Sequence, residues 1–381
     1  MKSSGYDLKV GVDMHVVDGM YQGTRTYLVE LFSRVIASCH NIQFHLFCSN
    51  ANNILNIASA FSSSNVVVVS GISKNPIFRL AVQFPILSKR YELDYLHVQY
   101  VLPLFLGNKG VVSLHDILFE SFPEFFGKLF VLRSRLLMRW SAKRANKIFT
   151  ISTFSKDDIS SRYRIHKEKI DLVYCGVDTR RFYPGTDGQE CLASRGLVSK
   201  GYLLTVGRID PRKNLAGLVQ AYDLTSKDVP LVIVGQDGLR SNELYREIEE
   251  RGLSQNVIVI KDVGDDELVA LYRHAQIFVF PSFSEGFGLP VLEAMASGVP
   301  TIVSNTTSLP EVAGEAAVLV DPKNVNELGE ALSLLMSSLE LRGSLREKGI
   351  IQAQKFNWES SANLVAQFYL SKVNKGKHLN E

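Results

Sequence analysis

Thirteen short apolar runs, each four to eight residues long, alternate with helical patterns along the whole chain. In the first half they are LKVGVD (8–13), FHLFCS (44–49), VVVVS (66–70), LHVQY (96–100), GVVSLHD (110–116), IFTIS (148–152) and IDLVYC (170–175). The second half repeats the theme with YLLTVGRI (202–209), LVIVG (231–235), VIVI (257–260), IFVFPS (277–282), TIVS (301–304) and AVLVD (317–321). Several are near-continuous and β-branched, as parallel strands buried on both faces must be. Between them lie amphipathic stretches such as NELYREIEERGL (242–253) and DDELVALYRHA (265–275), the latter opening on Asp265 as an expected N-cap. The alternation predicts right-handed βαβ units and doubly wound parallel sheets, an α/β chain.

A chain of 381 residues exceeds one hydrophobic core and fits two domains. Residues 180–201 hold Pro184, Gly185, Gly188 and Gly196 with little periodicity, so the linker is placed there. The expected division is 1–182 and 183–358, each Rossmann-like, with a C-terminal helical segment, 359–381, returning to the first. The 46% apolar and 21% charged composition is that of a globular protein, and a net charge of +3 gives no basis for a nucleic-acid partner. Cys39, Cys48, Cys175 and Cys191 show no CxxC or metal spacing and read as reduced. No run has signal-peptide character or approaches the ~20 apolar residues of a bilayer span. The expectation is a cytoplasmic protein whose membrane contact, if any, is peripheral.

The most informative stretch is SEGFGLPVLEAMASGVP (284–300). It follows the run IFVFPS, and open α/β sheets bind ligands at the carboxyl ends of their strands. Gly286 and Gly288 allow close backbone approach, and Pro290 suits a helix's first turn. Gly298 is a natural stop. The N-terminus of that helix favours a phosphate. Glu293, about one turn in, suits a ribose diol, and Glu285 precedes the turn where sugar hydroxyls would lie. The bland reading is a capped core helix with two surface acids. VGRIDPRKN (206–214) sets Arg208, Arg212 and Lys213 in a loop before a helix expected to be capped by Asn214. Such cations neutralise a diphosphate and stabilise it as a leaving group.

In the first half, GVDMHVVDGMYQGTRTYLVEL (11–31) runs from strand through Gly19 and Gly23 to helix, either a phosphate or sugar loop or a plain βα turn. SLHDILFESFPEFF (113–126) sets His115 and Asp116 at a strand end, able to bond hydroxyls or move a proton, whereas His15 and His97 read as structural. GKLFVLRSRLLMRWSAKRANK (127–147) carries seven basic residues and no acids. It reads as a domain helix with a solvated basic face or as a contact for an anionic membrane.

These residues resemble the retaining glycosyltransferases of family 4. The resemblance spans nearly the whole chain. It rests on an E-x7-E motif at Glu285 and Glu293, on GRIDPRKN, on LPEVAGEAAVLVDP (309–322), on YCGVDTRRFYP (174–184) and on HDILFESFPEFF. It implies a GT-B fold, two facing Rossmann-like doubly wound domains with the donor site in the interdomain cleft. It implies a diphosphate held by Arg208 and Lys213, ribose by Glu293 and donor sugar by Glu285. Backbone at Gly286, Phe287, Gly288 and Leu289 would also meet the donor. The base would lie near Gly235, Asp262 and Val263, and His115 near the reacting sugar. No metal or cofactor is implied. The donor is a nucleotide-diphosphate sugar, UDP-glucose ahead of GDP-mannose, and the acceptor a hydroxyl of a glycan or lipid-linked saccharide in polysaccharide biosynthesis. The family's first-loop Gly-x-Gly is here Gly23-Thr24-Arg25, so Arg25 stands where a second glycine usually does and is itself a candidate contact. The rival readings are a non-catalytic sugar-nucleotide-binding scaffold and a GT-B sugar-nucleotide epimerase. A dehydrogenase is disfavoured by the absence of GxGxxG.

Overall fold

The computed structural model describes residues 5–19, 23–104 and 106–377. The chain divides into two compact units, residues Met1–Cys175 with Trp358–Glu381, and Gly176–Asn357. The first contains seven strands: β1 (Leu8–Asp13), β2 (Ile42–Phe47), β3 (Val66–Val69), β4 (Tyr95–Gln99), β5 (Gly110–Ser113), β6 (Lys147–Thr150) and β7 (Ile170–Leu172). The second contains six: β8 (Leu203–Val206), β9 (Leu231–Val234), β10 (Val257–Ile260), β11 (Ile277–Phe280), β12 (Thr301–Ser304) and β13 (Ala317–Val320). All thirteen coincide with the apolar runs, although most runs extend past the strand into the loop that follows it.

The sheet orders are β3-β2-β1-β4-β5-β6-β7 and β10-β9-β8-β11-β12-β13. Every pairing is parallel, from Leu8 opposite Ile42 in the first to Ile277 opposite Leu203 in the second. Each sheet therefore reverses its winding once, at β1/β4 and at β8/β11, and crevices at such reversals are where α/β sheets take ligands. Residues on both faces of β8, β9, β11 and β12 are almost wholly buried, which explains their lack of alternation. Burying a Val, Leu or Ile side chain contributes about 1.5–3 kcal/mol.

The division comes earlier than the expected 182, because residues 176–182 are bonded into the second unit. The Val177 N–H donates to the Phe356 carbonyl (3.2 Å), and the Phe182 ring meets Tyr272 edge-on at 5.7 Å. The Arg273 guanidinium also gathers the carbonyls of Arg181, Tyr183 and Asp187. The terminal helix spans Trp358–Lys377, and residues 378–381 lie outside the described residues. It packs on the helix Gly23–Ser38, with Tyr369 Oη 2.9 Å from His97 Nδ1 and the Ser361 hydroxyl donating to the Tyr174 carbonyl at 2.6 Å. His97 Nε2 lies 2.7 Å from Ser113 Oγ, so both ring nitrogens serve the core, as expected for a structural histidine.

Two capping expectations are corrected. Gly264 holds the N-cap position before helix Asp265–His274, and Asp265, Asp266 and Glu267 fill its first turn. Three acids there favour the positive dipole end without a side-chain cap. Asn214 does hold the N-cap position before helix Leu215–Asp223, but without a side-chain cap: its left-handed backbone (φ 54°) turns its amide to the Pro322 carbonyl (2.7 Å). Asp210 caps the preceding turn Pro211–Lys213 instead, accepting from the Arg212 N–H at 3.1 Å. Among the described residues no helix is long and apolar enough to cross a membrane.

Candidate active site

In the second unit the chain leaves β8 through Gly207 and leaves β9 through Gly235. The two backbones come so close that a Cβ on Gly235 would sit 1.9 Å from the Gly207 carbonyl oxygen. Only glycine permits this contact, which sets the height of the loop 207–213 over the sheet. A Gly235→Ala variant is expected to lose about 2–3 kcal/mol of stability, as overpacking against backbone does, and to weaken ligand binding as the loop shifts. Denaturant unfolding checks it, and an unchanged midpoint would refute the contact.

The loop brings Arg212 and Lys213 over the end of β11, where the chain turns through Ser284 and Glu285. Lys213 Nζ lies 2.6 Å from Glu285 Oε1, and Arg212 Nη1 lies 2.9 Å from Glu285 Oε2. Arg212 also donates to the Ser284 carbonyl. The three charges thus span the β8/β11 reversal. Glu285 is 7% exposed. Burial alone would raise its pKa, but the Arg212 and Lys213 charges overcome that and hold it at about 2. Burial lowers the Lys213 pKa, and Glu285 opposes the change. Lys213 Nζ also stands 4.7 Å from the Phe280 ring centroid. Arg208, on the same loop, is exposed, and its guanidinium makes no ion pair among the described residues.

The turn carrying Glu285 is fastened from β12. The Glu285 N–H donates to Thr307 Oγ1 (3.0 Å), and the Ser308 hydroxyl lies 2.9 and 2.8 Å from the carbonyls of Glu285 and Phe287. Thr307 holds a left-handed backbone (φ 55°) to do so. Gly288, at φ 120°, turns the chain into helix Leu289–Ala296, where Pro290 lies in the first turn, and a Cβ there would meet Leu309 at 2.8 Å. Gly286 and Phe287 are buried beneath the turn, with the Phe287 ring edge-on to Phe356 at 5.7 Å, and Leu289 is half-buried. Glu293 is half-buried one turn along; burial raises its pKa, while the Tyr272 hydroxyl and the Arg181 charge act against it. Gly298 (φ 69°) ends the segment, its N–H donating to the Met295 carbonyl at 3.0 Å. Asp262 follows β10, next to β9 and Gly235. It is exposed, and its Oδ1 accepts from Gln236 Nε2 at 3.1 Å, while Val263 beside it is half-buried.

In the first unit His115 follows β5 and is 4% exposed. Its ring meets Tyr27 edge-on at 4.5 Å and lies 5.3 Å from Tyr100. Burial lowers its pKa to about 3, so the imidazole is neutral at physiological pH, and Nε2 has no partner among the described residues. Asp116 is tied to the following turn, its Oδ1 accepting the Leu118 N–H at 3.2 Å. Gly19 is exposed on extended backbone, Gly23 opens helix Gly23–Ser38 with open space around it, and Arg25 is half-buried in the first turn. Residues 20–22 of that loop lie outside the described residues.

The structure therefore joins Lys213 to Glu285 directly. It makes Arg212, one of the three loop cations read from sequence as able to meet a diphosphate, the second cation of that site, although the resemblance gave that role only to Arg208 and Lys213. Thr307 and Ser308 were missed outright; their one signal is a position just past the run TIVS. In the first unit, His15 Nδ1 lies 2.9 Å from Asp13 Oδ2, and Arg79 Nε 3.8 Å from the same oxygen, so His15 belongs to a charged cluster at the end of β1. Gln99, at the end of β4, is 7% exposed with neither amide atom partnered among the described residues. Among the described residues no three His, Cys, Asp or Glu side chains gather as a metal site would require.

The comparisons with known proteins agree with this geometry. Residues 21–181 match the family model Glycosyltransferase Family 4, and residues 194–368 match Glycosyl transferases group 1. The chain is 34% identical over 271 residues to O-antigen chain mannosyltransferase B of Escherichia coli, covering 68% of this chain and 70% of that relative. It is 29% identical over 247 residues to the serotype-specific mannosyltransferase WbdA of Escherichia coli, covering 62% of this chain but only 30% of that longer protein. Its fold matches that of sucrose-phosphate synthase from Thermosynechococcus elongatus with a TM-score of 0.78 at 20% identity, over 97% of this chain and all of the other. The chain belongs to glycosyltransferase family 4 and is built on the two Rossmann-like domains of the GT-B fold.

Proposed function

We propose that the protein moves a mannosyl group from a nucleoside-diphosphate sugar to a hydroxyl of a growing polysaccharide or lipid-linked saccharide, with retained anomeric configuration. The observation that carries this reading is the Arg212–Glu285–Lys213 arrangement at the β8/β11 reversal, with Glu285 eight residues before Glu293. The names of the relatives turn the choice of sugar from glucose toward mannose.

Arg208 and the unshared donors of Lys213 face a diphosphate as compact positive charge, the role a metal plays elsewhere. Glu293 accepts the two ribose hydroxyls. Glu285, ionised throughout the working pH range, accepts hydrogen bonds from sugar hydroxyls. The bond between the anomeric carbon and the phosphate oxygen breaks, and the acceptor oxygen bonds to that carbon. The acceptor proton passes to the departing phosphate. Neutral His115 offers Nε2 to a sugar hydroxyl. It is not the base that starts the reaction, since a group with a pKa near 3 holds a proton too weakly.

Titration calorimetry of UDP, GDP, ADP and their sugar conjugates, with and without added divalent cation, tests the reading. One nucleotide should bind, and Glu293→Ala should weaken it about tenfold to a hundredfold, the worth of hydrogen bonds to a charged acceptor. Binding by none of them, or equal binding by the variant, would overturn the ribose assignment.

A further inference from the structure

The helix Lys128–Arg144 buries Val131, Ser134, Met138, Ser141 and Ala142 against its sheet. A solvated basic face would put charge opposite that stripe. Instead Leu129, Leu132 and Leu136 point outward, 80%, 58% and 65% exposed, with Arg133 and Lys143 among them. The helical segment 76–90 repeats the pattern, with Ile77 77% and Ile86 60% exposed beside Lys74, Lys89 and Arg90. The first helix joins β5 to β6 and the second joins β3 to β4, so both crossovers run in the same direction across the sheet. Right-handed crossovers of one direction lie on one face. Phe84, Val131 and Met138 accordingly share one buried cluster. These two segments carry nine of the twenty exposed large apolar side chains among the described residues, four between Ile77 and Ile86 and five between Leu129 and Leu137.

We propose that this outer layer of the first unit is a docking face for an anionic lipid bilayer. Exposed leucines cost free energy in water and gain it in the acyl boundary. The charge around them selects the lipid: residues 127–147 hold seven basic side chains and no acid, and residues 71–90 hold no acid and expose Lys74, Lys89 and Arg90, Arg79 being buried near Asp13. Of the two acids just before the helix, Glu120 is paired with Arg135 at 2.7 Å and Glu124 is exposed. Cations ringing an apolar face complement phosphate headgroups, whereas a protein partner would need its own acidic rim around an apolar centre.

Flotation with vesicles of phosphatidylcholine containing phosphatidylglycerol, against phosphatidylcholine alone, tests this on the full chain. The wild type should float with the anionic vesicles, and added salt should weaken it. The variant L129S/L132S/L136S alters only exposed side chains. It should bind at least about tenfold more weakly, with unchanged circular dichroism. The variant R133E/R139E/K143E should lose the preference for anionic lipid. Equal flotation on both vesicle types, no flotation by the wild type, or undiminished flotation by the leucine variant would overturn the proposal. So would a dimer that the leucine variant abolishes, since the face would then be a self-association surface.

Discussion

Glu285→Gln is expected to cut sugar transfer roughly a hundredfold to a thousandfold while leaving nucleotide binding intact or tighter. Glutamine keeps the shape of the turn fastened by Thr307 and Ser308, so the change is one of charge. In the wild type the carboxylate neutralises part of the Arg212 and Lys213 charge at 2.9 and 2.6 Å. Removing it leaves two cations at the diphosphate position, which strengthens anion binding. It also removes the strongest acceptor available to a sugar hydroxyl. The expected signature is a fall in kcat without a rise in the Kd for the nucleotide. The same substitution reads out in acid. Because the folded-state pKa of about 2 lies below the ordinary 4.5, the ion pairs contribute stability that is fully present above pH 4.5. That stability is lost as pH falls toward 2, and the glutamine variant should show a flatter dependence in that window. Undiminished turnover by Glu285→Gln would remove Glu285 from the sugar site.

The fold was legible because its strands are parallel and covered on both faces, so burial leaves continuous apolar runs that stand out against the helices. The site was legible where a single segment carries it, as in 284–300, with Gly288 at the turn, Pro290 in the first helical turn and Gly298 at its end. What sequence did not reveal depends on segments far apart in the chain. Lys213 and Glu285 are 72 residues apart and meet only because β8 and β11 are neighbours in the sheet. Asn214 has the composition of a cap, yet its backbone is left-handed and its amide serves the Pro322 carbonyl. Gln99 is unremarkable in LHVQY until its burial and unpartnered amide are seen together. The outward leucines of Lys128–Arg144 were masked by the basic residues interleaved with them.

Lys213→Ala is expected to lower kcat/KM by about a thousandfold or more, because it removes the ammonium that meets charge developing on the leaving diphosphate. Arginine should not restore it. Lys213 Nζ lies over the Phe280 ring at 4.7 Å, and its Cε would be 3.4 Å from a Cβ on Gly207. A wide planar guanidinium on a longer side chain cannot set its charge where the compact ammonium stands, 2.6 Å from Glu285 Oε1. Stability separates the catalytic loss from a structural one. Removing one member of a buried ion pair costs about 3–5 kcal/mol, because the other charge stays buried and uncompensated, whereas replacing both by neutral groups of similar volume is near neutral. Arg212 removes most of the first effect here, since it still pairs with Glu285 in Lys213→Met. Lys213→Met should therefore unfold close to wild type, whereas adding Glu285→Gln strips Arg212 of its carboxylate and should unfold earlier than Lys213→Met alone. A large loss of turnover by Lys213→Met at near wild-type stability places the charge of Lys213 in the reaction itself. A loss of turnover matched by a loss of stability would mean that Lys213 only supports the loop.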